Sequence, residues 1–306
     1  MVEPIARYEL ACRLLPGRWQ TAARQLPDHS KALAEEIRLR SGRAATVLLP
    51  EGERLLMPQA PQQTVLPGEL EQLCDIVSGY SRYAVTQTLA QGYLTAAGGF
   101  RVGLCGTAVI SGGVSTNLRE ISSAVIRIGR EQRGIAGPLL PALWEKDRFC
   151  STLLLSPPGG GKTTLLRELV RCLSDGTEAH GALRVALADE RGEVAGMYRG
   201  TAQLEVGSHT DVLDGCPKAI AAEIFMRSMN PQVIAVDEIT AQADIWAMEA
   251  AAHCGAALLA TVHGASVEEL RQKRLFGRLL RTRLFSRAVI ISREEGVRRY
   301  RVEQLA

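Results

Sequence analysis

The sequence predicts an α/β protein in two parts: a smaller α+β domain over residues 1–135, then a domain over 136–306 built on a parallel sheet and carrying a phosphate-binding loop. Three observations predict it. The run Ser156-Pro157-Pro158-Gly159-Gly160-Gly161-Lys162-Thr163-Thr164 follows an apolar stretch at 152–155 and opens a helical pattern at 165–170. Apolar runs at 183–188, 233–236, 257–262 and 288–292 alternate with helical stretches at 162–174, 218–229, 241–254 and 266–273, the signature of buried parallel strands joined by crossover helices. Between the two patterns, Gly134-Ile135-Ala136-Gly137-Pro138 punctuates the chain as a boundary.

From the start of the chain, Ile5, Leu10, Leu14, Leu15 and Trp19 recur at near-helical spacing, with Arg13 and Arg18 elsewhere. Such a stripe faces either a core or a docking partner, and the spacing fits both. Residues 35–40 follow, then a short strand at 46–49, a Pro/Gln-rich loop at 58–63, and a helix entered at Pro67-Gly68-Glu69-Leu70 and running to about Gly79. Segments 92–95, 98–104 and 123–128 carry β-branched or alternating residues between glycine-rich turns and read as neighbouring antiparallel strands.

At 306 residues and 46% hydrophobic, the chain has material for two ordinary cores. A net charge of +3 demands neither a nucleic-acid nor a membrane partner. The seven cysteines are scattered without close pairs, which fits a reducing cytoplasm and neither a disulfide framework nor a zinc site. The N-terminus lacks a basic segment followed by an apolar core, and no uninterrupted apolar run reaches the roughly 18 residues of a spanning helix, so membrane contact is expected to be peripheral.

The chemistry is concentrated at strand ends. Gly159, Gly160 and Gly161, flanked by Pro158, let backbone N–H groups turn inward, and the helix N-terminus through Thr164 adds positive partial charge. Lys162 then reaches the β/γ-phosphates of ATP or GTP and Thr163 ligates Mg²⁺. Ser156 stands where the common pattern has its first glycine. The strand at 233–236 ends in Asp237-Glu238, a Walker B pair in which Asp237 holds Mg²⁺ through water and Glu238 polarises the attacking water. The strand at 257–262 delivers His263 as a candidate γ-phosphate sensor, and Asp189-Glu190-Arg191-Gly192-Glu193 offers acidic side chains to Mg²⁺-bound water. Asp214 reads as a helix-entry residue and Cys216 as chemically idle.

Taken in order, these motifs, with Arg227-Ser228-Met229-Asn230-Pro231, Thr261-Val262-His263-Gly264 and first-domain segments such as 36–43, 98–106 and 118–123, resemble the stage III sporulation protein AA family over roughly residues 35–295. That family is similar to the type II and type IV secretion ATPases, hexameric motors with an N-terminal α+β domain and a RecA-like ATPase domain. The resemblance implies an ATP- and Mg²⁺-dependent homo-hexamer in the mother-cell cytoplasm, docked peripherally on the membrane complex that links mother cell and forespore. It also implies that Glu190 stands in an acidic box, that His263 stands in a histidine box, and that Arg101, Arg119 or Arg127 reaches the nucleotide from the first domain.

Two other readings compete. Arg271, Arg274, Arg278, Arg281 and Arg283 recur mostly at spacings of three or four, fit a basic helical stripe and would suit a nucleic-acid-stimulated ATPase, although at 5% aromatic residues the chain offers few stacking platforms. A non-catalytic nucleotide switch would bind ATP without releasing phosphate.

Overall fold

The computed structural model describes residues 4–79, 81, 86–294 and 297–305, and the chain divides into two compact units. The first unit comprises residues 1–130 and 196–203, the second 131–195 and 204–306. The division thus falls after Arg130 rather than near 135, and an eight-residue segment, Gly196–Gln203, returns to the first unit.

In the first unit, α1 (Pro4–Cys12), α2 (Gly17–Arg24) and α3 (Asp28–Leu33) precede β1 (Glu36–Arg40), β2 (Thr46–Leu49) and β3 (Gly52–Leu55). Then come α4 (Pro67–Val77), α5 (Thr86–Ala90), β4 (Tyr93–Ala96), β5 (Phe100–Ser111) and β6 (Val114–Arg127). Among the described residues the strands form one antiparallel sheet in the order β3-β2-β1-β6-β5-β4. Alternation sets its faces: Ile37 and Leu39 of β1 are fully buried while Glu36, Arg38 and Arg40 turn outward.

The opening stripe is not one helix. Pro16 occupies the N-cap of α2, and a proline there, lacking an N–H and disfavouring helix at the residue before it, breaks the run at residues 13–16. Leu14, Leu15 and Trp19 are buried in the same core as Tyr8, Phe100 and Ile126, so the apolar side faces inward and the docking reading fails for it. β5 and β6 run well beyond the expected segments and meet at Gly112-Gly113. Past Leu104 most residues of the ribbon are exposed, so the alternation that betrays a half-buried strand is absent there.

The second unit opens with a 3₁₀ turn at Leu140–Leu143 and the small pair β7 (Trp144–Glu145) and β8 (Arg148–Phe149). It continues through β9 (Thr152–Ser156), α6 (Lys162–Asp175) and β10 (Val185–Asp189). The returning segment holds β11 (Met197–Tyr198) and β12 (Thr201–Ala202), with β11 against β4. There follow β13 (Thr210–Asp214), α7 (Lys218–Ser228), β14 (Val233–Val236), α8 (Gln242–His253) and β15 (Ala257–His263). Last come α9 (Val267–Gln272), α10 (Arg274–Arg281), β16 (Arg287–Glu294) and β17 (Val297–Gln304).

Among the described residues the main sheet has seven strands in the order β13-β10-β14-β15-β9-β16-β17, parallel except for the β16–β17 hairpin. Every residue of β9, β10 and β14 is buried, which is why these strands read as continuous apolar runs. Asp214 ends the edge strand β13 instead of capping α7, whose N-cap is Pro217. The arginines of the supposed basic stripe are all exposed, with Arg271 in α9, Arg274, Arg278 and Arg281 in α10 beyond an extended Lys273, and Arg283 past the end of α10, so they form no single helical face.

Trp19→Ala should lower unfolding free energy by roughly 3–5 kcal/mol in a urea melt, the range for emptying a buried tryptophan site. A docking residue would leave the midpoint unmoved.

Candidate nucleotide site

β14, β15 and β9 lie side by side and parallel, so their C-terminal ends open on one sheet edge, the edge at which open α/β sheets bind ligands. His263 is the register partner of Ser156, and the Gly264 N–H donates to the Ser156 carbonyl at 3.2 Å. The ends of β15 and of the strand feeding the phosphate loop are thereby tied together.

The loop itself is compact because of Ser156. A Cβ on Gly160 would stand 2.2 Å from Ser156 Oγ and 2.7 Å from its Cβ, so the side chain that replaces the usual first glycine fills the space beside Gly160. The Ser156 hydroxyl donates to the Pro157 carbonyl at 2.8 Å. Gly161 caps α6 in the left-handed region, and α6 starts at Lys162, leaving the N–H groups of Lys162, Thr163 and Thr164 at the helix entrance. Lys162 is buried and donates to the carbonyls of Ser156 (3.1 Å) and Pro157 (3.4 Å), with its Nζ 2.8 Å from His263 Nδ1. Burial pulls the ammonium pKa below its ordinary value, against the charges of Glu238 and Asp237.

On the acidic side, Asp237 Oδ2 accepts from Thr163 Oγ1 at 3.3 Å and Oδ1 from Thr261 Oγ1 at 3.1 Å. Glu238 sits at φ +52°, a region non-glycine residues seldom enter, and its N–H donates to Thr261 Oγ1 at 2.9 Å. Its carboxylate meets His263 Nε2 at 2.9 Å and Arg191 Nη1 at 3.1 Å. Lys162, His263, Glu238 and Arg191 therefore form one chain of contacts. With the ammonium donating, Nδ1 accepts and Nε2–H donates to Glu238.

Glu190 is engaged elsewhere, in an ion pair with Lys218 at the start of α7. The carboxylate of that turn whose charge bears most on Asp237 is Glu193, followed by Asp189. Asp189, fully buried at the end of β10, accepts the N–H groups of Glu193, Val194 and Ala195 at 2.8–3.1 Å. Arg167 of α6 donates to the carbonyls of Glu193 (2.6 Å) and Val194 (2.5 Å). The signal for Glu193 was an Asp four residues before it, able to cap the turn with its own carboxylate. Burial, with Glu193, Asp189 and Glu238 as neighbouring charges, pushes Asp237 up to about 6, opposed by the Thr261 hydrogen bond.

Among the described residues no group of three or more His, Cys, Asp or Glu could hold a metal by itself. A crowded carboxylate beside a threonine hydroxyl at a phosphate loop fits Mg²⁺, which takes one or two protein ligands and completes its shell with phosphate and water. Thr163 and Asp237 are the residues that would hold it. The three arginines of the first unit lie on β5 and β6: Arg101 stacks on Tyr93 at 4.0 Å, Arg127 is exposed, and Arg119 lines a cavity of about 450 Å³ with Glu71, Asn117 and Glu120.

A phosphate loop between β9 and α6, an acidic pair after β14 and a parallel sheet in this order define the second unit as a RecA-like P-loop NTPase fold, preceded by an α+β unit. The chain belongs to the family described as sporulation stage III, protein AA, whose model matches residues 11–302. It is 36% identical over 283 residues to stage III sporulation protein AA of Bacillus subtilis (strain 168), covering 92% of this chain and 90% of that protein. Among solved structures it is similar to the pilus retraction motor PilT with bound ADP, with a TM-score of 0.59 and 15% identity over 91% of this chain and 81% of that one. The ATPase DotB of Legionella pneumophila gives a TM-score of 0.57 and 17% identity over 90% of this chain and 78% of that one. At such identities the likeness is one of fold.

In the metal-free protein, an Asp237 carboxyl held near 6 against its ordinary 3.8 binds more protons folded than unfolded between those values, so stability falls as pH rises through that window. At about 1.4 kcal/mol per pH unit the loss approaches about 3 kcal/mol at neutral pH. Asp237→Asn should therefore raise the melting temperature of the metal-free protein at pH 7.5 and give no advantage at pH 4; equal shifts at both values would refute the electrostatic account. Gly160→Ala should destabilise the loop, and Ser156→Gly in the same chain should recover part of the loss in melting temperature.

Proposed function

We propose that this protein is an ATP-hydrolysing motor, working as a homo-hexamer and docked peripherally on a membrane complex of sporulation in the mother-cell cytoplasm. The observation that carries the enzymatic part is the convergence of Lys162, Thr163, Asp237, Glu238 and His263 at one sheet edge. Family membership and the fold shared with PilT and DotB support the motor part. Among the described residues no helix is long and apolar enough to cross a membrane.

In this reading Lys162 leaves the carbonyls of its own loop for the β/γ-phosphate oxygens, which replace a neutral acceptor with a charged one. Thr163 and Asp237 would hold Mg²⁺, which would supply charge neutralisation for the phosphates. Glu238 orients and polarises the attacking water, and its left-handed backbone, pinned by Thr261, aims the carboxylate. His263, bonded to both Lys162 and Glu238, senses whether the γ-phosphate is present. Glu193 takes the part of the acidic box in place of Glu190. Arg101, Arg119 and Arg127 are the candidates for completing the site within the oligomer.

Glu238→Gln should retain ATP binding and lose turnover by roughly 100-fold or more, whereas Lys162→Ala should lose binding itself. Phosphate release measured against protein concentration should rise more steeply than linearly as the oligomer forms. Undiminished turnover in Glu238→Gln, or turnover strictly proportional to protein, would defeat the motor reading.

A further inference from the structure

The last hairpin lies beside the phosphate loop. β16 runs parallel to β9 with Ile290 opposite Leu155, so its continuation to Glu294 passes the loop that follows Ser156. β17 then returns antiparallel, with Arg298 directly opposite Arg293. The Arg298 guanidinium packs on Gly161: a methyl group there would stand 2.9 Å from its Cζ and Nε and 3.2 Å from Nη2. Its Nη1 donates to the side-chain oxygen of Gln132 at 2.8 Å, a neutral acceptor. The Arg298 guanidinium thus stands at the entrance of α6, whose N–H groups already favour an anion, and its Gln132 acceptor is neutral.

We propose that Arg298 is a phosphate ligand of the nucleotide site, a second cation beside Lys162 that grips the polyphosphate chain from the C-terminal hairpin. The proposal rests on the nucleotide reading of the phosphate loop. A guanidinium suits the task because its planar fork can donate two hydrogen bonds to one phosphate, where Lys162 acts as a point charge. Gly161 is then required twice over: its backbone takes the left-handed conformation at φ +101°, and its missing side chain leaves room for the arginine. In sequence Arg298 is indistinguishable from its solvated neighbours Arg299 and Arg301; the strand register singles it out.

The test is calorimetric titration of the full chain with ATP and, separately, with inorganic tripolyphosphate, which carries the phosphates and no nucleoside. Arg298→Gln should weaken both ligands roughly tenfold while its unliganded melting temperature stays close to that of the wild type, and Arg298→Glu should abolish tripolyphosphate binding. If Arg298→Gln binds both as the wild type does, or loses affinity for ATP alone, or if Arg298→Glu still binds tripolyphosphate, the proposal is overturned. Lys162→Ala separates this from failure of the underlying reading: persistence of both ligands in that variant would show that the phosphate loop is not their site.

Discussion

One buried hydroxyl holds the acidic half of the site together. Thr261 has no exposed surface, sits within β15, and engages three consecutive residues of the neighbouring strand end. Its Oγ1 donates to Asp237 and accepts the Glu238 N–H, and its carbonyl accepts the Ile239 N–H at 2.9 Å. A left-handed glutamate costs on the order of 1–3 kcal/mol and persists only where its surroundings over-determine it. The bonds on either side of Glu238 do that, so the direction of its carboxylate is a property of the β14–β15 seam and not of the loop that follows.

Around this seam the charges are sorted into two groups. Asp237, Glu193, Asp189 and Glu238 crowd one side, where burial and mutual repulsion raise the pKa of Asp237. Lys162 stands on the other side, satisfied by two carbonyls and a histidine. Lys162 is compensated by neutral partners, whereas Glu238 already meets Arg191 and His263. A magnesium–triphosphate pair, positive toward the carboxylates and negative toward the lysine, would complement both at once.

The sequence made legible what a strand end makes local. The phosphate loop, Asp237-Glu238 and His263 each follow a fully buried apolar run, so their position on the sheet edge could be read without coordinates. What stayed hidden depends on non-local pairing. β13 and β17 are edge strands without a single fully buried residue, and neither shows the continuous apolar run of the interior strands. Glu193 and Glu190 differ by three places in one acidic turn; only the caps from Asp189 and the pull of Lys218 decide which faces Asp237. The opening stripe was read with the right residues but the wrong continuity, since Pro16 divides it while the burial of Leu14, Leu15 and Trp19 survives the break.

The excursion of Gly196–Gln203 orders events at the ribosome. Synthesis delivers most of the first unit early, yet the strand that lies against β4 is translated only after the phosphate loop and β10. The first unit therefore completes itself late, in the company of a half-made second one, and the two cannot mature as beads released one after the other.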